Sequence, residues 1–175
     1  MPPLRNRRFQ DTRWSLISRA GRDDRNATEA LEELCYCYWF PVYAYVRRSG
    51  RSPEDAEDLT QDFFAKFFVG RDFCKADEGA GKFRSYVLKA VKNHLISAYD
   101  RRTTKRRGGQ ALAISLDHDE AESWLAAELA LPIVGSPERL FDREWAATVV
   151  KTVLEKLRDE YEASGKEQIF ENLYQ

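Results

Sequence analysis

Residues 52–107 constrain this chain more than any other stretch, because they place two helical patterns of opposite charge on either side of a glycine-bearing turn. The first, SPEDAEDLTQDFFAKFF, opens with Ser52 as N-cap, Pro53 at the first helical position and Asp55 in the first turn. That combination satisfies exposed N–H groups and the positive end of the helix dipole, and so predicts a firm helix start. Ala56, Leu59, Phe63, Phe64 and Phe67 recur at helical spacing as an apolar stripe, while Asp55, Asp58, Gln61, Asp62 and Ala65 lie largely away from it. The second pattern, FRSYVLKAVKNHLISAYDRRTTKRR, grows steadily more basic. Arg84, Lys89, Lys92, Arg101, Arg102, Lys105, Arg106 and Arg107 are opposed there only by Asp100, so a polyanion is its natural partner. Two adjacent elements of opposite sign suggest two different partners.

In the basic helix, Val87, Leu88, Val91, Leu95 and Ala98 are expected to face a core, and Tyr86, Lys89, Asn93, Ser97 and Asp100 fall on another face. Asn93 stands out because a mid-helix amide has poor propensity, yet it offers both a donor and an acceptor to a base edge. A solvated or helix-bonded asparagine is the plainer reading. The carboxylates of the acidic helix also have a plain reading, as groups that serve the helix N-terminus and water. Between the two, residues 70–82 cannot be helical throughout, since Gly70, Gly79 and Gly81 interrupt them. The segment is either a connector or a functional loop, and the spacing excludes a phosphate-binding GxxxxGK[ST] motif.

The formal net charge of the 175-residue chain is only -1, so affinity for nucleic acid must come from that local stripe. No apolar run approaches the roughly 18 residues of a membrane span, and MPPLRNRRFQ lacks the apolar centre of a signal peptide, so a cytoplasmic protein without a membrane partner is expected. Cys35, Cys37 and Cys74 form no CxxC pair and stand far from His94 and His118. Reduced structural cysteines, no metal and no cofactor are therefore expected.

Upstream, Thr12 can cap a short helix through Trp14, Leu16, Ile17 and Ala20 that stops at Gly21. From Thr28, apolar residues recur at Leu31, Leu34, Cys35, Tyr38, Trp39, Val42, Tyr45 and Val46, a long helix that should kink or restart at Pro41. Downstream, residues 110–135 turn acidic and read as a linker with a short amphipathic piece around Trp124, Leu125 and Leu129. Ser136, Pro137 and Glu138 repeat the start signal for a long helix, through Leu140, Phe141, Trp145, Val149, Val153, Leu154 and Leu157 to near Gly165. The expected architecture is all-α: a helical bundle over 1–109, a linker over 110–135 and a helical segment over 136–175.

The order DAEDLTQDFF, a short loop, FRSYVLKAVKN and DRR resembles region 2 of bacterial sigma factors of the extracytoplasmic-function type, and the likeness extends upstream through RFQDTRWSLISRA and ALEELCYCYWFPVYAYVRRSG. The resemblance implies a transcription initiation factor that binds core RNA polymerase and recognises and melts the promoter −10 element through its non-template strand. It implies that Asp55, Asp58, Gln61 and Asp62 meet the β′ clamp helices. It further implies that the loop captures a flipped base against Phe73 and Phe83, and that Asn93, with Tyr86, contacts the upstream edge of the −10 element. Lys89, Lys92, Arg101, Arg102 and Lys105 would hold phosphates. An anti-sigma or other regulatory partner fits the same family. Residues 136–175 would open region 4, but no helix-turn-helix follows within the chain, and the closing ENLYQ resembles part of a protease-site tag.

The competing reading is a non-catalytic helical adaptor that meets RNA or a protein through its basic tail. Catalysis has no support, because neither histidine follows a glutamate by three residues, as a di-iron bundle requires, and no nucleophile motif is present.

Overall fold

The computed structural model describes residues 14–22, 25–104 and 135–173, together with Ser123 and Leu125. Among these residues every regular element is helical, and the fold is all-α. The elements are α1 (Trp14–Ala20), α2 (Arg25–Arg48), α3 (Pro53–Phe64), α4 (Phe83–Thr104), α5 (Pro137–Ala163) and α6 (Glu167–Leu173). A π-helical turn, Ala65–Val69, continues α3 without a break, and two 3₁₀ turns, Asp72–Lys75 and Glu78–Ala80, lie between it and α4. The expected N-cap at Thr12 lies outside the described residues.

Helix α2 is the axis of the molecule, touching α1, α3, α4 and α5. Leu34, Cys35, Tyr38, Trp39, Val42, Tyr43, Ala44 and Val46 are all buried, so its second half is surrounded rather than laid on a surface. This explains the outcome at Pro41, where α2 runs on as one helix and no new helix begins. A mid-helix proline costs about 3 kcal/mol through its missing N–H and its ring clash. Burial of the flanking aromatic and β-branched side chains, at roughly 1.5–3 kcal/mol each, outweighs that cost.

The aromatic residues knit the remaining helices to this axis. Phe63 stacks on Phe67 and Phe64 on Phe68, each pair with centroids 5.0 Å apart. Phe83, the first residue of α4, meets Tyr38 of α2 edge-on at 5.5 Å. Within the π turn the Gly70 N–H donates to the Ala65 carbonyl at 3.0 Å. A Cβ on Gly70 would run into the Lys66 carbonyl oxygen, so this glycine is required for space. Only Gly81, with φ of 127°, uses the angular freedom expected of the loop's glycines.

Helix α5 starts as expected, with Ser136 Oγ accepting the Arg139 N–H at 3.4 Å. The expected boundary at 135/136 does not coincide with a gap in packing, because α5 lies along α2. Phe141 is buried edge-on against Tyr45, and Trp145 packs beside Tyr38. Between them Glu144 accepts from Arg48 at 3.2 Å, with side chains only 2% and 7% exposed. Arg143 donates to the same carboxylate at 2.9 Å, so Glu144 gathers two guanidiniums, and removing it takes the buried carboxylate from both at a cost of about 3 kcal/mol. Outer contacts repeat the connection, with Lys156 on Glu33 at 2.8 Å and the Tyr36 hydroxyl on Glu155 at 3.1 Å. From the expected linker, Leu125 is fully buried in the core cluster, while Trp124 and Leu129 lie outside the described residues.

Candidate polymerase and nucleic-acid interfaces

The acidic face is set by the cap and by the stripe beneath it. Ser52 Oγ accepts the Asp55 N–H at 3.2 Å, and Pro53 holds the first helical position. Ala56, Leu59, Phe63 and Phe64 are buried, which turns Asp58 outward and leaves Asp55, Gln61 and Asp62 partly exposed. These four residues therefore share one accessible side of α3, but they are not equivalent. The Gln61 amide donates to Glu57 at 3.2 Å. Asp62 is engaged within the protein, accepting from Lys66 and lying 3.5 Å from Nε2 of His94 on α4. His94 is itself packed edge-on against Phe63, at 5.7 Å. Its bridging position between α3 and α4 carried no signal in the sequence.

The loop departs from expectation in its aromatic residues. Phe73 and Phe83 are each 1% exposed, so they do not offer an open wall on which a base could stack. Phe73 lies against Phe68 at 5.7 Å, and Phe83 is shared among Trp14, Tyr38, Phe67 and Tyr86. Burial of about 150–250 Å² of ring explains the preference, since nothing polar on a phenylalanine competes for the surface. Their role is to fasten the loop at both ends. Two further tethers help. The Tyr86 hydroxyl donates to the Asp72 carbonyl at 3.2 Å. Arg71, in the left-handed conformation at φ 61°, donates to the Gly21 and Arg22 carbonyls at the end of α1. The part of the loop that stays outward is residues 77–82, where Asp77 accepts the Gly79 N–H at 2.9 Å.

On α4 the core face forms as expected through Val87, Leu88 and Val91, with Leu95 and Ala98 partly covered. Lys89, Asn93 and Ser97 are exposed, Tyr86 is partly exposed, and the Ser97 hydroxyl donates to the Asn93 backbone carbonyl at 2.9 Å. The basic stripe is divided, however. Arg84 turns toward α5, where Nε donates to Asp142 at 2.9 Å and the guanidinium lies 4.9 Å over the Trp145 ring. Lys92 donates to Glu138 at 2.5 Å. That hydrogen bond is the main reason the Lys92 ammonium is raised above its ordinary range, and it lowers the Glu138 carboxyl from 4.5 to about 2. Lys92 is thus only partly available to a phosphate. Arg101 and Arg102 continue α4, but their side chains, and all of Lys105, lie outside the described residues.

Cys35 and Cys37 are buried and Cys74 is exposed. Burial pushes the Cys35 thiol up to about 12, with Glu32 adding to the effect, so it is a poor nucleophile. Among the described residues no group of His, Cys, Asp and Glu could hold a metal ion. None of the described helices is long and apolar enough to cross a membrane.

Residues 41–105 match the family model of sigma-70 region 2, a span that runs from the second half of α2 past the end of α4 and contains both faces. At the level of that family, a region 2 implies RNA polymerase binding and recognition of the promoter −10 element. No curated protein and no solved structure matches the chain.

Proposed function

We propose that this protein is a transcription initiation factor of the extracytoplasmic-function type, which docks on the β′ clamp helices of core RNA polymerase through α3 and holds the non-template strand of the opened −10 element along α4. The observation that carries the reading is the match to sigma-70 region 2 over 41–105, laid on a structure in which Asp58 and Asn93 are both exposed. Asp58 and Gln61 lead the polymerase contact, with Asp55 and Asp62 at its edge. Asn93 and Tyr86 meet unpaired bases, and Lys89 with Arg101, Arg102 and Lys105 meets phosphates. No bond is made or broken. Stacking and hydrogen bonding, at about 1–3 kcal/mol per base, offset the cost of strand separation. The outward loop segment 77–82 would have to recognise a captured base through backbone groups and polar side chains, since Phe73 and Phe83 are committed to the core.

The decisive experiment is competition. A second sigma factor should displace the protein from core polymerase in a pull-down, and co-existence of the two on one polymerase would refute the assignment. In parallel, Asn93→Ala should weaken binding to single-stranded promoter DNA by about tenfold while polymerase binding persists.

A further inference from the structure

Val150, Val153 and Leu157 are 53%, 48% and 37% exposed, and all three stand on α5. A lone apolar side chain on a surface needs no explanation. These recur at spacings of three and four, and Ala146, also exposed, extends the series by one turn toward the N-terminus. At about 100° per residue the four fall within about 60° of one another, on the side of α5 turned away from the buried Phe141, Glu144 and Thr152. The buried side meets α2. Helix α5 therefore carries a second apolar face that nothing among the described residues covers.

The pattern is the seam of a coiled coil, with seven residues from Ala146 to Val153 and from Val150 to Leu157. What it matches is its own reverse. Laid antiparallel about a two-fold axis between Lys151 and Thr152, Val150 faces Val153, Ala146 faces Leu157 and Arg143 faces Glu160, because the members of each pair are equidistant from the axis. The bulkiest member of the seam thus meets the smallest, and opposite charges close both ends. A parallel pair would instead set Leu157 on Leu157, Arg143 on Arg143 and Glu160 on Glu160. A guanidinium carries five N–H donors, so the bond from Arg143 to Glu144 at 2.9 Å leaves it able to meet a second carboxylate, and its side chain is 56% exposed. Asp159, Glu160 and Glu162 at the far end of the seam disfavour a nucleic acid as the occupant.

We infer that this face of α5 is the contact between two copies of the chain, joined as a symmetric antiparallel helix pair. From Arg143 to Glu160 the seam is about 26 Å long. A single helix pair falls at the lower end of the roughly 1,200–2,000 Å² that stable interfaces bury, so the association is reversible, with a dissociation constant of about 10 μM. The seam lies on α5, whereas Asp58 is on α3 and Asn93 on α4, and the dimer does not depend on how those two faces are read.

Sedimentation equilibrium of the full chain, without DNA or polymerase, should show monomer and dimer in exchange with a dissociation constant of about 10 μM. Val153→Lys sets a charge against Val150 of the second copy on both sides of the axis, and should raise that constant by at least about tenfold. Its thermal unfolding should match that of the native protein, because the position is exposed. A cross-link reads the register without relying on that variant. In a Cys74→Ser background, Ala146→Cys chains mixed with Leu157→Cys chains should form a disulfide-linked dimer under mild oxidation. Neither variant should do so alone, because its two thiols would stand about 16 Å apart along the pair, beyond the roughly 7 Å between Cα atoms that a disulfide spans. A monomer at every concentration up to about 200 μM, cross-linking within one variant alone, or an unaltered constant for Val153→Lys would each overturn the dimer. If the native chain stays monomeric and Val153→Lys instead weakens binding to core polymerase, the face belongs to that partner and the dimer is likewise overturned.

Discussion

Helices α3 and α4 are neighbours in sequence and opposite in charge, yet they use their charges differently. On α3 the carboxylates are set outward by the apolar stripe beneath them, and Asp58 stays exposed. On α4 the cations are split: Lys89 stays outward, whereas Arg84 and Lys92 meet Asp142 and Glu138 of α5. A run of like charge in sequence is therefore a pool from which the fold draws, and part of the basic pool fastens α5 to the rest of the protein. The outward part, Lys89, stays exposed to solvent.

That division can be broken or sharpened by mutation. The largest effect is expected at the buried fastening. Glu144→Ala should destabilise the protein by about 3 kcal/mol in urea or guanidinium titrations, because the buried carboxylate shared by Arg48 and Arg143 is lost. A loss below about 1 kcal/mol would mean that α5 is not held as described.

Next comes the outward acidic face. Asp58→Ala with Gln61→Ala should weaken core polymerase binding by about tenfold in a direct affinity measurement, with stability and DNA binding unchanged. An unaltered affinity would move the polymerase contact away from α3.

The two lysines give a finer comparison. Lys89→Ala should lower the slope of log affinity for single-stranded DNA against log salt by about 0.7, the amount for one phosphate contact. Lys92→Ala should lower it less, since its ammonium already faces Glu138. Equal slopes for the two variants would show that α5 gives way to DNA.

The smallest effect is in acid. Glu138 has a carboxyl lowered from 4.5 to about 2 in the folded protein, so its contribution to stability is present above the ordinary value and fades as pH falls toward the lowered one. A Glu138→Gln variant should thus differ slightly from the native protein at neutral pH and converge with it near pH 2, as followed by acid unfolding. Parallel curves throughout would show that the ion pair adds nothing.

How far the sequence could be read depended on the range of the interactions. Ser52 and Ser136 announce helix starts through contacts three residues away, and both caps form. The outward position of Asn93 and Asp58 comes from helical period alone. The contacts of Arg84 with Asp142 and of Lys92 with Glu138 join residues 58 and 46 positions apart, and a charged residue on a helix carries no mark of such a partner. Glu144 is the extreme case, since a glutamate in an amphipathic helix reads as solvated until Arg48 is seen above it. Phe73 and Phe83 failed for a related reason: an aromatic residue beside a glycine-bearing loop can serve a ligand or a core, and only the neighbouring rings decide. Pro41 shows the converse: of the two outcomes it allows, a kink or a new helix start, the surroundings of α2 set aside the new start.

The wide turn at Ala65–Val69 sets the phase between α3 and the loop that leads to α4. Each residue added to or taken from a helix rotates the downstream chain by about 100° and advances it about 1.5 Å. A π turn holds one residue more than ordinary winding, so a one-residue deletion there that restored ordinary winding would leave the start of α4 turned by only a few tens of degrees (~35°) around the α3 axis. The turn is therefore the place where the chain can gain or lose a residue while α3 and α4 keep nearly the same mutual orientation.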